Sequence, residues 1–205
     1  MASVERIVLA TGNRGKLKEM RALLAGLDIE VVAQSDLGVE SPPETGTTFV
    51  DNALLKAKHA AEVTGLPAMA DDSGLVVRAL DGRPGVYSAR YAGENASDED
   101  NVDKLLDEMR AETDRAAYFH CALVLVNGPG DADPTIVEAS WHGEIAACRS
   151  GDGGFGYDPV FIDPELKRHS AELPADVKNA RSHRGQALRE MVEQLTQLEG
   201  ARAPE

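Results

Sequence analysis

Four short segments of the 205-residue chain combine glycine, charge and hydrogen-bonding side chains at spacings that suit chemistry on a phosphorylated ligand. The first is Thr11-Gly12-Asn13-Arg14-Gly15-Lys16, which follows the apolar run Ile7-Val8-Leu9-Ala10. Backbone N–H groups at a helix start, glycines that admit close approach and a lysine one turn in would cradle a phosphate group. The spacing and Gly-Lys-Ser/Thr ending of a Walker A loop are missing. A plain strand-to-helix turn with a solvated lysine is the competing reading.

Acids come from two further segments, Glu44-Thr45-Gly46 and Asp71-Asp72-Ser73-Gly74. Adjacent carboxylates repel one another unless a cation relieves them, and hard oxygen ligands of this kind suit Mg²⁺, which takes one or two carboxylates together with substrate phosphate. Alternatively, Asp71 and Asp72 serve an Asx turn, and Glu44 complements the positive end of the helix that follows it. Lys56, on that helix, either reaches inward toward phosphate or joins Lys58 at the surface.

The fourth segment is Gly153-Gly154-Phe155-Gly156-Tyr157-Asp158-Pro159, taken with Lys178 and Ser182-His183-Arg184-Gly185. Two aromatics embedded in glycine are costly to order unless they stack on a planar partner or fold back into the core. Lys178, His183 and Arg184 supply donors for phosphate oxygens or for a carbonyl on a base; a basic helix cap would use the same residues. The other histidines, His59, His120, His142 and His169, lack two-histidine metal spacing and form no nucleophile signature, which disfavours zinc and acyl-transfer chemistry. Cys121 and Cys148 lack C-x-x-C spacing and read as free buried thiols, and Trp141 reads as packing.

These segments need elements to hold them. Residues 7–10 suit a buried strand, and Leu17, Met20, Leu23, Leu24 and Leu27 recur at helical spacing up to a stop near Gly26. Ile29 to Ala33 reads as a second strand. Val50, Ala53, Leu54, Ala57, Ala60 and Ala61 form a helical stripe with Thr47 or Thr48 as cap. Ala68-Met69-Ala70 and Leu75-Val76-Val77 read as strand pieces on either side of a turn at 71–74, which puts the acids at a strand end. Ser97 with Asp98, Glu99 and Asp100 announces a helix that buries Val102, Leu105, Leu106 and Met109. Tyr118 to Val126 and Thr135 to Cys148 form a hairpin about Gly128-Pro129-Gly130-Asp131. The last helix starts near Ser182, buries Ala187, Leu188, Met191, Val192, Leu195 and Leu198, and ends in a frayed tail from Gly200 to Glu205. The expected architecture is an α/β fold, with a mixed sheet and flanking helices forming two lobes around a central cleft, as one two-lobed domain over residues 1–205.

Composition narrows the function classes. Hydrophobic residues at 42% and charged residues at 27% are ordinary for a globular chain and disfavour wholesale disorder. The formal charge of −14 opposes a phosphate backbone, so nucleic acid is a poor partner. No run reaches the roughly 20 apolar residues of a membrane span, and the opening Met-Ala-Ser-Val-Glu-Arg carries no basic leader, so a cytoplasmic protein is expected.

Taken together, Thr-Gly-Asn-x-Gly-Lys at 11–16, Glu-Thr-Gly at 44–46, Ala-Asp-Asp-Ser-Gly at 70–74, Gly-Gly-Phe-Gly-Tyr-Asp at 153–158 and Ser-His-Arg-Gly at 182–185 closely resemble the inosine/xanthosine triphosphate pyrophosphatases. Pro-Gly-Val-Tyr-Ser-Ala-Arg-Tyr at 84–91 also looks like that family, and the blocks span residues 7–198. The resemblance implies a Mg²⁺-dependent homodimer with an inosine triphosphatase-like fold. It implies hydrolysis of ITP, dITP and XTP to the monophosphate and pyrophosphate, which keeps deaminated purines out of DNA and RNA. It assigns Thr11, Gly12, Asn13, Arg14, Gly15 and Lys16 to the triphosphate, Glu44 and Asp72 to the metal, and the proton-accepting role to Asp72. Asp71 is a further metal candidate, and Lys56 a phosphate one. Ser73 would touch substrate, Phe155, Gly156, Tyr157 and Asp158 would line base and sugar, and Lys178, His183 and Arg184 would complete the pocket. Many relatives carry an acid immediately before the Glu-Thr-Gly glutamate; this chain has Pro43 there, so any metal role of that position is absent.

Two other readings use the same residues: a pyrophosphatase of a different modified nucleotide, separated by base preference, and a purine nucleotide-binding module without hydrolysis, separated by the lack of pyrophosphate release.

Overall fold

Ile7, Val8 and Leu9 offer apolar side chains to both sides, the pattern of a strand covered on both faces, and β1 (Arg6–Leu9) is buried along all three. In the computed structural model, which describes residues 6–26 and 29–200 without the side chains of 195–200, β1 is followed by α1 (Arg14–Leu24), β2 (Glu30–Ala33) and α2 (Phe49–Thr64). Then come β3 (Ala68–Val77), α3 (Asp98–Glu108), β4 (Ala116–Val126), β5 (Thr135–Ile145), β6 (Phe161–Asp163), β7 (Arg168–His169), α4 (Ala175–Arg181) and α5 (His183–Gly200). Leu27, the side chains of Leu195 and Leu198, and the tail beyond Gly200 lie outside the described residues.

The strands form an open mixed sheet in the order β2-β1-β3-β4-β5-β6-β7. β1 runs parallel to β2, with Ile7 opposite Val31, and parallel to β3, with Val8 opposite Ala68. β6 is antiparallel to both β5 and β7. The chain divides into two compact units, one made of residues up to Asp72, 121–139 and from Arg184 onward, the other of 73–120 and 140–183.

In the first unit the pleat sorts side chains into two layers. Ile7, Leu9, Met69, Cys121, Leu123 and Leu125 join α1 and α5 through Met20, Leu24, Leu188 and Met191. Their neighbours Val8, Ala10, Ala68, Ala70, Ala122 and Val124 meet Ala53, Ala57, Ala60 and Ala61 of α2. Thr48 caps α2 through a reciprocal pair with Asp51.

The second unit packs Leu75, Val77, Leu105, Met109, Tyr157 and Val160 about an aromatic centre. There Phe161 lies 4.6 Å from Phe119 and 5.0 Å from Trp141 between ring centroids, which makes Trp141 a packing residue. Ser97 caps α3 with Asp100, as its acidic start suggests.

Two local expectations need correction. Residues 71–74 are not a turn between strand pieces: β3 is continuous from Ala68 to Val77, because side chains distant in sequence supply the cations and donors that let its acids stay in a strand. The seven-residue α4 also precedes the final helix, hidden from periodicity by its shortness.

Candidate active site

Alternation along β3 sends its two acids to opposite layers of the first unit. Asp71, in phase with Met69, meets α1 and α5: Lys16 Nζ stands 3.1 Å and Arg184 Nε 3.2 Å from its Oδ2. Burial alone would raise the Asp71 carboxyl, but Lys16 and Arg184 outweigh it and hold it well below the usual carboxylate range. Arg184 also donates to Glu19, so this guanidinium, 2% exposed, binds two carboxylates.

Asp72, in phase with Ala68 and Ala70, meets α2. Its Oδ1 lies 3.4 Å from Lys56 Nζ, and its Oδ2 accepts from Asn52 Nδ2 at 3.1 Å. Burial pushes this carboxyl above its ordinary value; Lys56 and Lys16 oppose the shift and Glu44 adds to it. The Lys56 ammonium is also 2.7 Å from Glu44 Oε1. Lys56 therefore points inward, and burial, which would lower its pKa, is outweighed by Asp72, Asp71 and Glu44, which raise it.

Glu44 and Asp72, 28 positions apart by numbering, thus converge on one cation. A pair of carboxylates is the protein share of a typical Mg²⁺ site, which keeps water and substrate phosphate for its other positions. Glu44 and Asp72 offer oxygen donors only, the ligand type that suits Mg²⁺ rather than zinc; among the described residues no group of three or more His, Cys, Asp or Glu is placed to hold a metal ion. Asp71 is engaged by Lys16 and Arg184 and does not share the Lys56 contact at hydrogen-bond range.

The Thr11–Lys16 segment enters α1. Asn13 is its N-cap, accepting from the Lys16 amide at 3.1 Å, and Thr11 Oγ1 accepts from the Asn13 amide. Gly12, Asn13 and Arg14 are exposed, while Gly15 and Lys16 are half-buried. The lysine is therefore not a solvated turn residue: Asp71 holds its ammonium at the start of the helix.

In the second unit the glycine-rich loop lines a cavity of about 620 Å³ together with Asp98, Glu99 and Arg149. Tyr157 folds back into the core and donates its hydroxyl to the Ser88 carbonyl, whereas Phe155 and Gly156 stay half-buried. Asp158 organises the loop. It accepts from the Phe155 amide, the Ser170 hydroxyl and Lys178 Nζ, the last at 2.6 Å. Lys178 Nζ also lies 5.1 Å from the Phe155 ring centroid. His183 stacks on Phe119 with an interplanar angle of 12°. Ser73 continues β3, half-buried. Of the three basic candidates grouped by sequence, Lys178 and His183 belong to this unit and Arg184 to the other.

The sequence reading missed Asn52, Glu19 and Asp163. Asn52 and Lys56, four residues apart on α2 beside the alanine stripe, are both buried.

A family model described as the Ham1 family matches residues 7–194. The "dITP/XTP pyrophosphatase" of Halorhodospira halophila is 57% identical over 92% of this chain and 96% of its own length. That of Pectobacterium atrosepticum is 54% identical over 94% and 98%. A solved structure of a HAM1 protein from Coxiella burnetii, 48% identical, superposes with a TM-score of 0.87 over 94% of this chain and 98% of that one.

Proposed function

The chain belongs to the Ham1 family, and from that membership we propose that it hydrolyses the nonstandard purine nucleoside triphosphates dITP, ITP and XTP to the monophosphate and pyrophosphate, with Mg²⁺. The observation that carries the reaction chemistry is the convergence of Glu44 and Asp72 on the Lys56 ammonium.

Glu44 and Asp72 are the residues that would hold the ion, which when bound offsets charge on the polyphosphate as a Lewis acid. Asp72 acts as general base. Its burial raises proton affinity, and a water that gives up a proton to it attacks the α-phosphorus as the bond to the bridging oxygen breaks. Lys16, fixed by Asp71 beside the exposed Gly12 and Asn13, offsets charge on the departing pyrophosphate. Lys178, oriented by Asp158 and by the Phe155 ring, is the donor suited to the 6-oxo group of the base; the 6-amino group of adenine would leave it unmatched. A homodimer located in the cytoplasm completes the proposal.

The test is incubation with Mg²⁺ and ITP, dITP, XTP, GTP or ATP, with inorganic phosphate and pyrophosphate separated. Pyrophosphate from the first three is expected. Release of inorganic phosphate, or ATP turnover equal to that of ITP, would overturn the reading.

A further inference from the structure

Asn52 is fully buried in α2 among alanines, an expensive place for a carboxamide unless both its ends are matched. Both are. Its Oδ1 accepts from the Gly46 amide at 2.8 Å, and its Nδ2 donates to Asp72 Oδ2 at 3.1 Å. The orientation has one solution, because an amide N–H can only donate: Oδ1 must face Gly46, and Nδ2 is left for the carboxylate.

We propose that Asn52 is a positioning residue that sets the rotation of the Asp72 carboxylate and its spacing from Glu44. The inference rests on the role of Asp72 as base. A carboxylate turns easily about its last torsion. Here Asn52 takes Oδ2 and Lys56 faces Oδ1, so the two oxygens are held from different points. The same rigid amide grips the backbone two residues beyond Glu44, so one side chain spans both metal-binding candidates. Position 46 is shaped for this grip. A Cβ there would lie 2.6 Å from Asp51 Cβ and 2.7 Å from Asn52 Oδ1, so any residue other than glycine would push the loop off the amide.

Asn52→Asp, when ionised, keeps the acceptor for Gly46 and loses the donor to Asp72, whereas Asn52→Ala loses both. With ITP and Mg²⁺, each variant is expected to lose about a hundredfold in kcat with KM changed less than about threefold. In metal-free, nucleotide-free protein, amide exchange at Gly46 should stay slow in the wild type and in Asn52→Asp and quicken about tenfold in Asn52→Ala. An Asn52→Asp enzyme within about threefold of wild-type kcat, or a freely exchanging Gly46 amide in the wild type, overturns the proposal. The wild-type exchange measurement stands even if neither variant folds. A wild-type protein that releases no pyrophosphate refutes the assigned activity instead, and leaves Gly46 exchange to judge the hold by itself.

Discussion

Lys178 Nζ and Asp158 Oδ2 form an ion pair at 2.6 Å, with both side chains less than a tenth exposed. Removing one member strands the other in a desolvated site, the arrangement in which a buried pair costs most to break. Asp158→Ala should lower unfolding stability by about 3 kcal/mol in urea titration. It should also release the Phe155 amide and raise KM for ITP more than it lowers kcat. Gly154→Ala should resemble it, since a Cβ at that position would collide with the Asp158 carboxylate. Wild-type stability in Asp158→Ala would show that the pair is dispensable.

Asp72→Asn keeps the shape of the side chain but cannot take up a proton from water. Turnover of ITP should fall by about a thousandfold, within the range of lost general-base catalysis. Nucleotide affinity, measured by equilibrium binding without turnover, should change only a few-fold. Near-normal turnover would remove Asp72 from the role of base.

The stability of the second unit should depend on pH through Asp163. This buried carboxylate accepts from Trp141 Nε1 at 3.0 Å, from Arg181 Nε at 2.6 Å and from the amides of Glu165 and Leu166. Burial would raise its pKa, but the bonds from Arg181, Leu166 and Trp141 outweigh that and hold it below the usual range. The sign follows. The folded state binds its proton less readily than the unfolded chain, so the stabilisation is complete above the unfolded value of about 3.9 and is lost as pH falls through the lower folded value. Urea unfolding of wild type and Asp163→Asn should differ most near neutral pH and converge in acid. A pH-independent difference would contradict this.

The two thiols should react differently. Cys121 is buried and its thiol is pushed up to about 12, first by burial and then by the nearby Asp71 charge, whereas Cys148, expected from the sequence to be buried as well, is exposed. A chromogenic disulfide reagent at about pH 8 should titrate one thiol in the native protein and two in denaturant. Rapid native labelling of both would indicate that the layer around Cys121 opens.

What local chemistry specifies was legible in the sequence. The caps Thr48 and Ser97, the alanine stripe of α2 and the buried run of β1 follow from neighbouring residues alone. What depends on distant partners was not. Asp71-Asp72-Ser73-Gly74 has the composition of a turn, and only Lys16, Arg184, Lys56 and Asn52, brought in from other elements, make it strand. Lys56 illustrates the same limit within the site: its spacing allowed either face, and Glu44 and Asp72 decided it. Asn52 escaped notice because a carboxamide in a helix carries no signature until both its partners are known.

The alternation of β3 also makes the acid pair a matter of parity. Met69 and Asp71 share one layer, and Ala68, Ala70 and Asp72 the other. Evolution can replace side chains here one by one, but a single residue added between Met69 and Asp71 would send each aspartate to the opposite face of the sheet. Asp71 would be handed to the α2 layer of Asn52 and Lys56, and Asp72 turned toward α1 and α5.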